Sequence, residues 1–210
     1  MRMMDDPPIS KQDAALVGTK ELLHSPSVIN APAHVNKPVP APSIYVDERG
    51  EIHNIRVGGK RMNLLYTRRG VMRSGDIHAN IQHDFVFLGK VQVWRLTKDG
   101  ETEKKIYGPY EYLSIPPYVP HVFHFLEDTV MAEWWEPEPF FAWFYMPYRR
   151  VVENSFSCQQ PGDLQELVQQ FSQEGKNQQR VFWYGMVAGA ASLGFGLGIV
   201  VCTLKRRYKF

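Results

Sequence analysis

"SGDIHANIQHDFVFLGKV", Ser74 to Val91, is the stretch whose reading decides the fold. It sets two of the chain's seven histidines, an asparagine and an aspartate beside an apolar, β-branched run. Side chains alternate along a strand, so His78 and Asn80 share one face and can both enter a sheet interior. Downstream, "IPPYVPHVFHF" brings two further histidines behind a proline-rich turn. There His121 shares a face with Phe123 and Phe125, while His124 points the other way. The question is whether His78 and His121 meet in a common interior.

Working outward, the region from Ser43 to Trp135 reads as β throughout. Short apolar runs are cut by Gly, Pro and Asp at roughly eight- to twelve-residue spacing, the pattern of a sandwich or small barrel. "KDGE" at 98–101 is a tight hairpin turn with Gly100 at the position that needs positive φ, and "DERGE" at 47–51 and "LGK" at 88–90 read similarly. The "VQVW" strand is expected to supply apolar wall. Trp134 and Trp135 point to opposite faces, so at most one lines the interior. The aromatic, proline-dense "PEPFFAWFYMPYRRVV" is read as a closing strand and a cover for the barrel mouth.

The flanks differ in character. Residues 1–42 hold seven of the chain's 15 prolines and are read as a disordered, Pro-rich leader. Its middle, "KQDAALVGTKELLH", could form one short helix, for instance on a partner. Residues 151–180 are read as a linker and amphipathic helix, with Leu164, Leu167, Val168 and Phe171 at helical spacing and Asp163 able to cap the start. Val181 to Leu204 runs without a charged residue, long enough to cross a bilayer as a helix. Aromatic residues border one end, and the basic tail 205–210 follows the other. Gly185 and Gly189, then Gly194 and Gly198, form small-xxx-small pairs that would let another helix approach. The N-terminus lacks the apolar core of a secretory signal. The layout is therefore read as tail-anchored, with the folded domain cytosolic, in the mitochondrial outer membrane or endoplasmic reticulum.

Composition excludes some partners. Net charge is +2, and Lys and Arg form no stripe interleaved with aromatics, which argues against nucleic acid. Two cysteines, Cys158 and Cys202, cannot build a disulfide framework.

Arg73 to Glu136 resembles a cupin, an RmlC-like jelly-roll barrel. The first signature of that family, a glycine, His-x-His, a carboxylate and a turn glycine, is matched by Gly75, His78, Asn80, His83 or Asp84, and Gly89. The second, Pro-x-Gly-x-x-His, is matched by Pro116, Tyr118 and His121. Asn80 stands where a second histidine would be, and Tyr118 where a glycine would be. The texture is similar to nucleotide-sugar isomerases and epimerases. The resemblance implies residues 43–150 as an all-β cupin barrel binding a small polar ligand, sugar-like or a small acid.

Three functions follow from that resemblance. In an isomerase or epimerase, His78 would act as base, Tyr110, Tyr112 or Tyr118 as acid, and Arg73 would steady an anionic group. In a metal-dependent oxygenase, His78, His83, Asp84 and His121 would hold Fe, Mn, Ni or Zn. A non-catalytic sensor or scaffold would keep the barrel and act through its leader and anchor. Cupin barrels pair through edge strands, which implies a homodimer. Asp76, at the barrel rim, is read as a turn residue.

Overall fold

The computed structural model describes residues 6–36 and 40–157. A short helix α1 (Lys11–Leu16), a 3-10 turn (Lys20–His24), a strand β1 (Val28–Asn30) and a helix α2 (Ala33–Asn36) come first. The strands β2 (Ser43–Asp47), β3 (Gly50–Val57), β4 (Lys60–Thr67), β5 (Met72–His78) and β6 (Ile81–Leu88) follow. Then come β7 (Val91–Leu96), β8 (Thr102–Tyr107), β9 (Tyr112–Ile115), β10 (His121–Phe125), β11 (Thr129–Glu136), β12 (Ala142–Tyr145) and a helix α3 (Met146–Ser157).

Among the described residues the strands form two six-stranded antiparallel sheets, in the orders β1-β12-β5-β10-β7-β8 and β2-β3-β4-β11-β6-β9. Four nested antiparallel pairs, β4 with β11, β5 with β10, β6 with β9 and β7 with β8, build the two central sets of four, β4-β11-β6-β9 and β5-β10-β7-β8. That order is the double-sheet jelly roll, the architecture cupins share. The hairpin β2–β3 widens one sheet, and the pair β1–β12 widens the other. The expected turns stand: Gly50, Gly89 and Gly100 all have positive φ.

Two apolar layers hold the fold. Between the sheets, Leu65, Val86, Val91, Val93, Phe123 and Phe125 are buried together. "VQVW" thus supplies wall through Val91 and Val93, as expected. On the outside of the β5-containing sheet, Met72, Ile77, Trp94 and Val122 are covered by Leu22 from the 3-10 turn and by Tyr148 and Val152 of α3.

This second layer corrects the reading of residues 1–42 as a disordered leader. Prolines 7, 8, 26 and 32 fall between elements rather than inside them. The segment they bracket carries its own start signal, the Ser10 side chain accepting from the Asp13 N–H at 3.0 Å. Its apolar residues have a face to bury against. Asp13, itself buried, accepts from the Ser25 hydroxyl and, at 3.3 Å, from the Tyr145 hydroxyl of β12. The domain therefore begins before residue 43, since β1 pairs with β12. It also ends later than 150, because α3 takes residues 151–157 from the expected linker.

No helix among the described residues is long and apolar enough to cross a membrane. The stem at 161–179 and the stretch Val181–Leu204, with its four glycines, lie outside the described residues.

Candidate functional site

The site begins with a fault in β5. Ser74 and Gly75 both have positive φ, at 73° and 79°. Opposite them the register with β10 slips: His121 pairs with Asp76, Val122 with Ser74, and Phe123 with Arg73. Two residues of β5 thus oppose one of β10, a β-bulge. Unbroken alternation would put Arg73 on the opposite face from His78. The bulge instead turns Arg73, Asp76 and His78 all inward, while Met72 and Ile77 join the outer layer. A Cβ on Gly75 would lie 2.8 Å from the Arg149 Cα, so the helix α3 also needs a glycine there.

Inside, His78 and His121 are both buried, and their rings meet edge to face with centroids 4.8 Å apart. The Nδ1–H of His121 donates to the Val119 carbonyl at 3.0 Å. Its Nε2 faces Asp76 Oδ1 at 3.2 Å and the Ser74 hydroxyl at 3.3 Å. Burial pushes His121 down to about 4, against the attraction of Asp76. It is thus neutral at pH 7, with a bare Nε2.

His78 has the opposite surroundings. Its Nδ1 lies 2.8 Å from the Asn80 carbonyl and its Nε2 2.9 Å from Gln82 Oε1. Both neighbours are acceptors, so the ring is placed to donate from either nitrogen. The Gln82 amide is oriented by its other contacts. Its oxygen accepts from the Trp135 indole N–H at 3.2 Å, and its nitrogen donates to Asp84 at 3.0 and 3.2 Å. Asp84 is fully buried, and burial, followed by the like charge of Glu133, pushes its carboxyl well above the ordinary value.

A second polar group lies on the same inner face. Burial pushes Glu133 up to about 7, although Asn63 donates to it at 2.7 Å. Burial likewise lowers Arg73 to about 10. Arg73 Nε donates to Thr67 Oγ1 at 3.0 Å, and its Nη2 lies 3.9 Å from Asp47. Arg73 Nη2 and Asn63 Oδ1 have no hydrogen-bond partner among the described residues.

The expected site residues divide accordingly. His78, His121, Arg73 and Asp84 all face inward: the two rings meet, Gln82 links His78 to Asp84, and Arg73 lies by Thr67 and Asp47. His124 points outward, as expected, against Trp94. Of the competing pair, Asp84 faces in and His83 faces out, stacked on Trp134 at 5.2 Å and hydrogen-bonded to the Tyr112 hydroxyl at 2.6 Å. Tyr112 is therefore on the outer face and cannot touch a ligand in the barrel. Tyr118 keeps the backbone of the glycine it replaces, with φ 59°, but its ring packs against the outer layer. It is not beside His78 as an acid would be; only its N–H reaches the strand, donating to the His78 carbonyl at 2.9 Å.

Asn80 lies past the end of β5, so strand alternation no longer governs it. Its amide donates to the Pro137 carbonyl and, at 3.2 Å, to that of Pro139. It thereby fastens the segment that carries Phe140, whose ring stands 5.9 Å from His78 and 4.4 Å from Trp135. The expected cover over the barrel mouth is this segment. Of the two tryptophans only Trp135 faces in.

The metal expectation fares differently. His83 is on the wrong face, and among the described residues no three His, Cys, Asp or Glu side chains converge as a metal site. Both nitrogens of His78 are occupied by chain oxygens. The residues present do not fit the expected Fe, Mn, Ni or Zn set.

Sequence reasoning missed Asp76, Gln82 and Glu133. The Ser-Gly pair before Asp76 signals a bulge, and Gln82 and Glu133 alternate correctly with Asp84 and Met131 on their strands.

No protein-family model matches the chain, and no curated protein matches it in sequence. Among solved structures it is similar to the capsular polysaccharide assembling protein CapF from Staphylococcus aureus, at 18% identity and TM-score 0.42 over 49% of this chain and 33% of that one. It is also similar to oxalate decarboxylase from Bacillus subtilis, at 14% identity and TM-score 0.41 over 45% of this chain and 27% of that one. The chain thus spans about a third or less of these proteins' length. The jelly-roll assignment rests on the strand order, and likenesses of this extent add no argument to it.

Proposed function

We propose that the barrel binds a small polar molecule, sugar-like or a small hydroxy acid, and moves a proton on it. The observation that supports this reading is the pair of unused buried atoms on the inner face. Arg73 Nη2 offers a donor and Asn63 Oδ1 an acceptor, each about nine-tenths buried and neither partnered by a hydrogen bond. Leaving such groups unpaired costs about 1–3 kcal/mol each, so a molecule that satisfies both is strongly favoured. A ligand bearing hydroxyls, which both accept and donate, does so; a carbonyl serves Arg73 alone.

In this reading the roles of the histidines are unlike each other. His121, neutral with a bare Nε2, takes a proton, and Asp76 beside it stabilises the resulting imidazolium. His78 donates one once a ligand oxygen takes the place of the Gln82 amide at its Nε2. The ligand enters by displacing the Phe140 segment.

A second reading, a non-catalytic binding or scaffold protein, is favoured by one observation. Both ring nitrogens of His78 and the polar atoms of Gln82 and Asp84 are already engaged within the chain.

The experiment uses the full chain, purified in mild detergent. Nucleotide-sugars and small hydroxy acids are screened by thermal shift, and hits are incubated in deuterated water. Binding lost in Arg73→Met, together with deuterium uptake lost in His121→Gln, supports the catalytic reading. Binding without exchange supports the scaffold, and no binding by any compound overturns both.

The uncharged stretch 181–204 supports membrane anchoring with a cytosolic barrel. Extraction by alkaline carbonate would overturn it.

A further inference from the structure

Ser74 is held in a conformation that its residue type does not favour. Its φ of 73° lies in the left-handed region, where a residue other than glycine is disfavoured by about 1 kcal/mol or more. The neighbouring helix fixes it there: Arg149 Nη1 donates to the Ser74 carbonyl at 3.3 Å, and the Arg149 backbone packs against Gly75. A glycine at 74 would adopt the same backbone freely, so the outlier points to a use for the serine side chain. Its hydroxyl lies 2.8 Å from Asp76 Oδ1 and 3.3 Å from His121 Nε2. Those two atoms are themselves 3.2 Å apart, so the three form a closed triangle.

That triangle has one hydrogen to share. The Val119 carbonyl can only accept, so the proton of the neutral His121 ring is on Nδ1 and Nε2 is bare. Asp76, as a carboxylate, brings none. The Ser74 hydroxyl, donating to Asp76, supplies it. Without that hydroxyl a bare nitrogen and a carboxylate oxygen would face each other at 3.2 Å, and the pair would draw in a proton to bridge them. We propose that Ser74 is the positioning residue of the proton transfer: its hydroxyl engages Asp76 and leaves His121 Nε2 bare to act as base. This rests on the reading of His121 as that base and adds the residue that keeps it ready. Ser74 acts through Asp76 and His121, not on the reacting atoms. Other charged groups face the same triangle. His78 on β5 and Arg95 on β7 disfavour a charge on His121, and Asp84 on β6 and Glu133 on β11 lie within electrostatic reach of Asp76. Substituting Ser74 leaves all of them in place.

Nitrogen NMR of the full chain in mild detergent, with isotope-labelled histidine, tests this without any ligand. His121→Gln identifies the His121 ring. In the parent its Nε2 should carry no proton near neutral pH. In Ser74→Ala and Ser74→Gly alike, the titration midpoint of the ring should rise by about one pH unit or more. Alanine keeps the strained backbone and glycine relieves it, so an equal rise in both reports the hydroxyl and not the strain. The glycine variant also carries the test if the alanine variant does not fold. Adding Asp76→Asn to Ser74→Gly should abolish the rise, because the carboxylate that attracts the proton is gone. For any compound that exchanges deuterium, the acid limb of the rate profile should move up by the same amount in Ser74→Gly. A protonated Nε2 in the parent, or an unchanged midpoint in the glycine variant, would overturn the proposal. If no compound exchanges, the proton-transfer reading falls, while the midpoint still decides whether Ser74 governs His121.

Discussion

The indole N–H of Trp135 donates to the side-chain carbonyl of Gln82 at 3.2 Å, and so decides which end of that amide meets His78. The indole can only donate. The amide nitrogen is then left for Asp84, and the oxygen is shared between Trp135 and His78. Gln82 is the joint that links Trp135, His78 and Asp84, although nothing in its residue type draws attention to it.

Replacing that joint should cost more than removing any one of its partners. Gln82→Leu strands Trp135, His78 and Asp84 together, whereas Trp135→Phe withdraws a single donor. Each stranded buried group costs about 1–3 kcal/mol. Thermal melting of the two variants should show the larger loss for Gln82→Leu. Equal losses would mean that the amide does not organise the chamber.

Glu133 and His121 make opposing contributions to stability as pH changes. Glu133 is pushed up from 4.5 to about 7, so its contribution to folding is full below 4.5 and is lost as pH rises through 7. His121 is pushed down from 6.5 to about 4, so its contribution is full above 6.5 and is lost as pH falls through 4. Glu133→Gln should therefore gain Tm relative to the parent as pH is raised from about 5 to 8. His121→Asn should flatten the acid side of the profile. Parallel Tm curves would refute both assignments.

Tyr118 holds a φ of 59°, a conformation that favours glycine. Tyr118→Gly and Tyr118→Ala lose the same ring from the outer layer, but only alanine keeps the unfavourable backbone. The glycine variant should be the more stable by about 1 kcal/mol, read from chemical denaturation. A more stable alanine variant would show that the turn relaxes freely.

Leu22 is fully buried under the β5-containing sheet. Leu22→Ala should cost about 2–5 kcal/mol and should raise hydrogen exchange in β1 and α1 before the rest of the domain. A Tm shift of a degree or less would return residues 6–30 to the status of a loose leader.

Much of this architecture was legible in the residues. The alternation in "HVFHF" correctly sent His121 inward and His124 outward, and the Gly-bearing turns located the hairpins. What failed, failed for local physical reasons. Alternation could not carry His78 and Arg73 to the same face, because the Ser74–Gly75 bulge intervenes. His83 has a metal-ligand side chain but occupies an outward register position, set by its pairing with Trp134. Proline density argued for disorder in residues 1–42, but prolines between elements do not prevent Ala14, Val17 and Leu22 from packing. Alternation would place Asn80 on the strand beside His78, yet the strand stops at His78 and frees its amide to anchor the Phe140 segment.

The pairing of Val28 with Tyr145 has a kinetic consequence. The strand that completes one sheet lies more than 100 residues along the chain from the neighbour that receives it. Closure over such a span spends chain entropy before any native contact repays it. Refolding of this domain should consequently be slow for its size. A circular permutant that places residues 28–30 directly after those of β12 should shorten that search while leaving the final architecture unchanged.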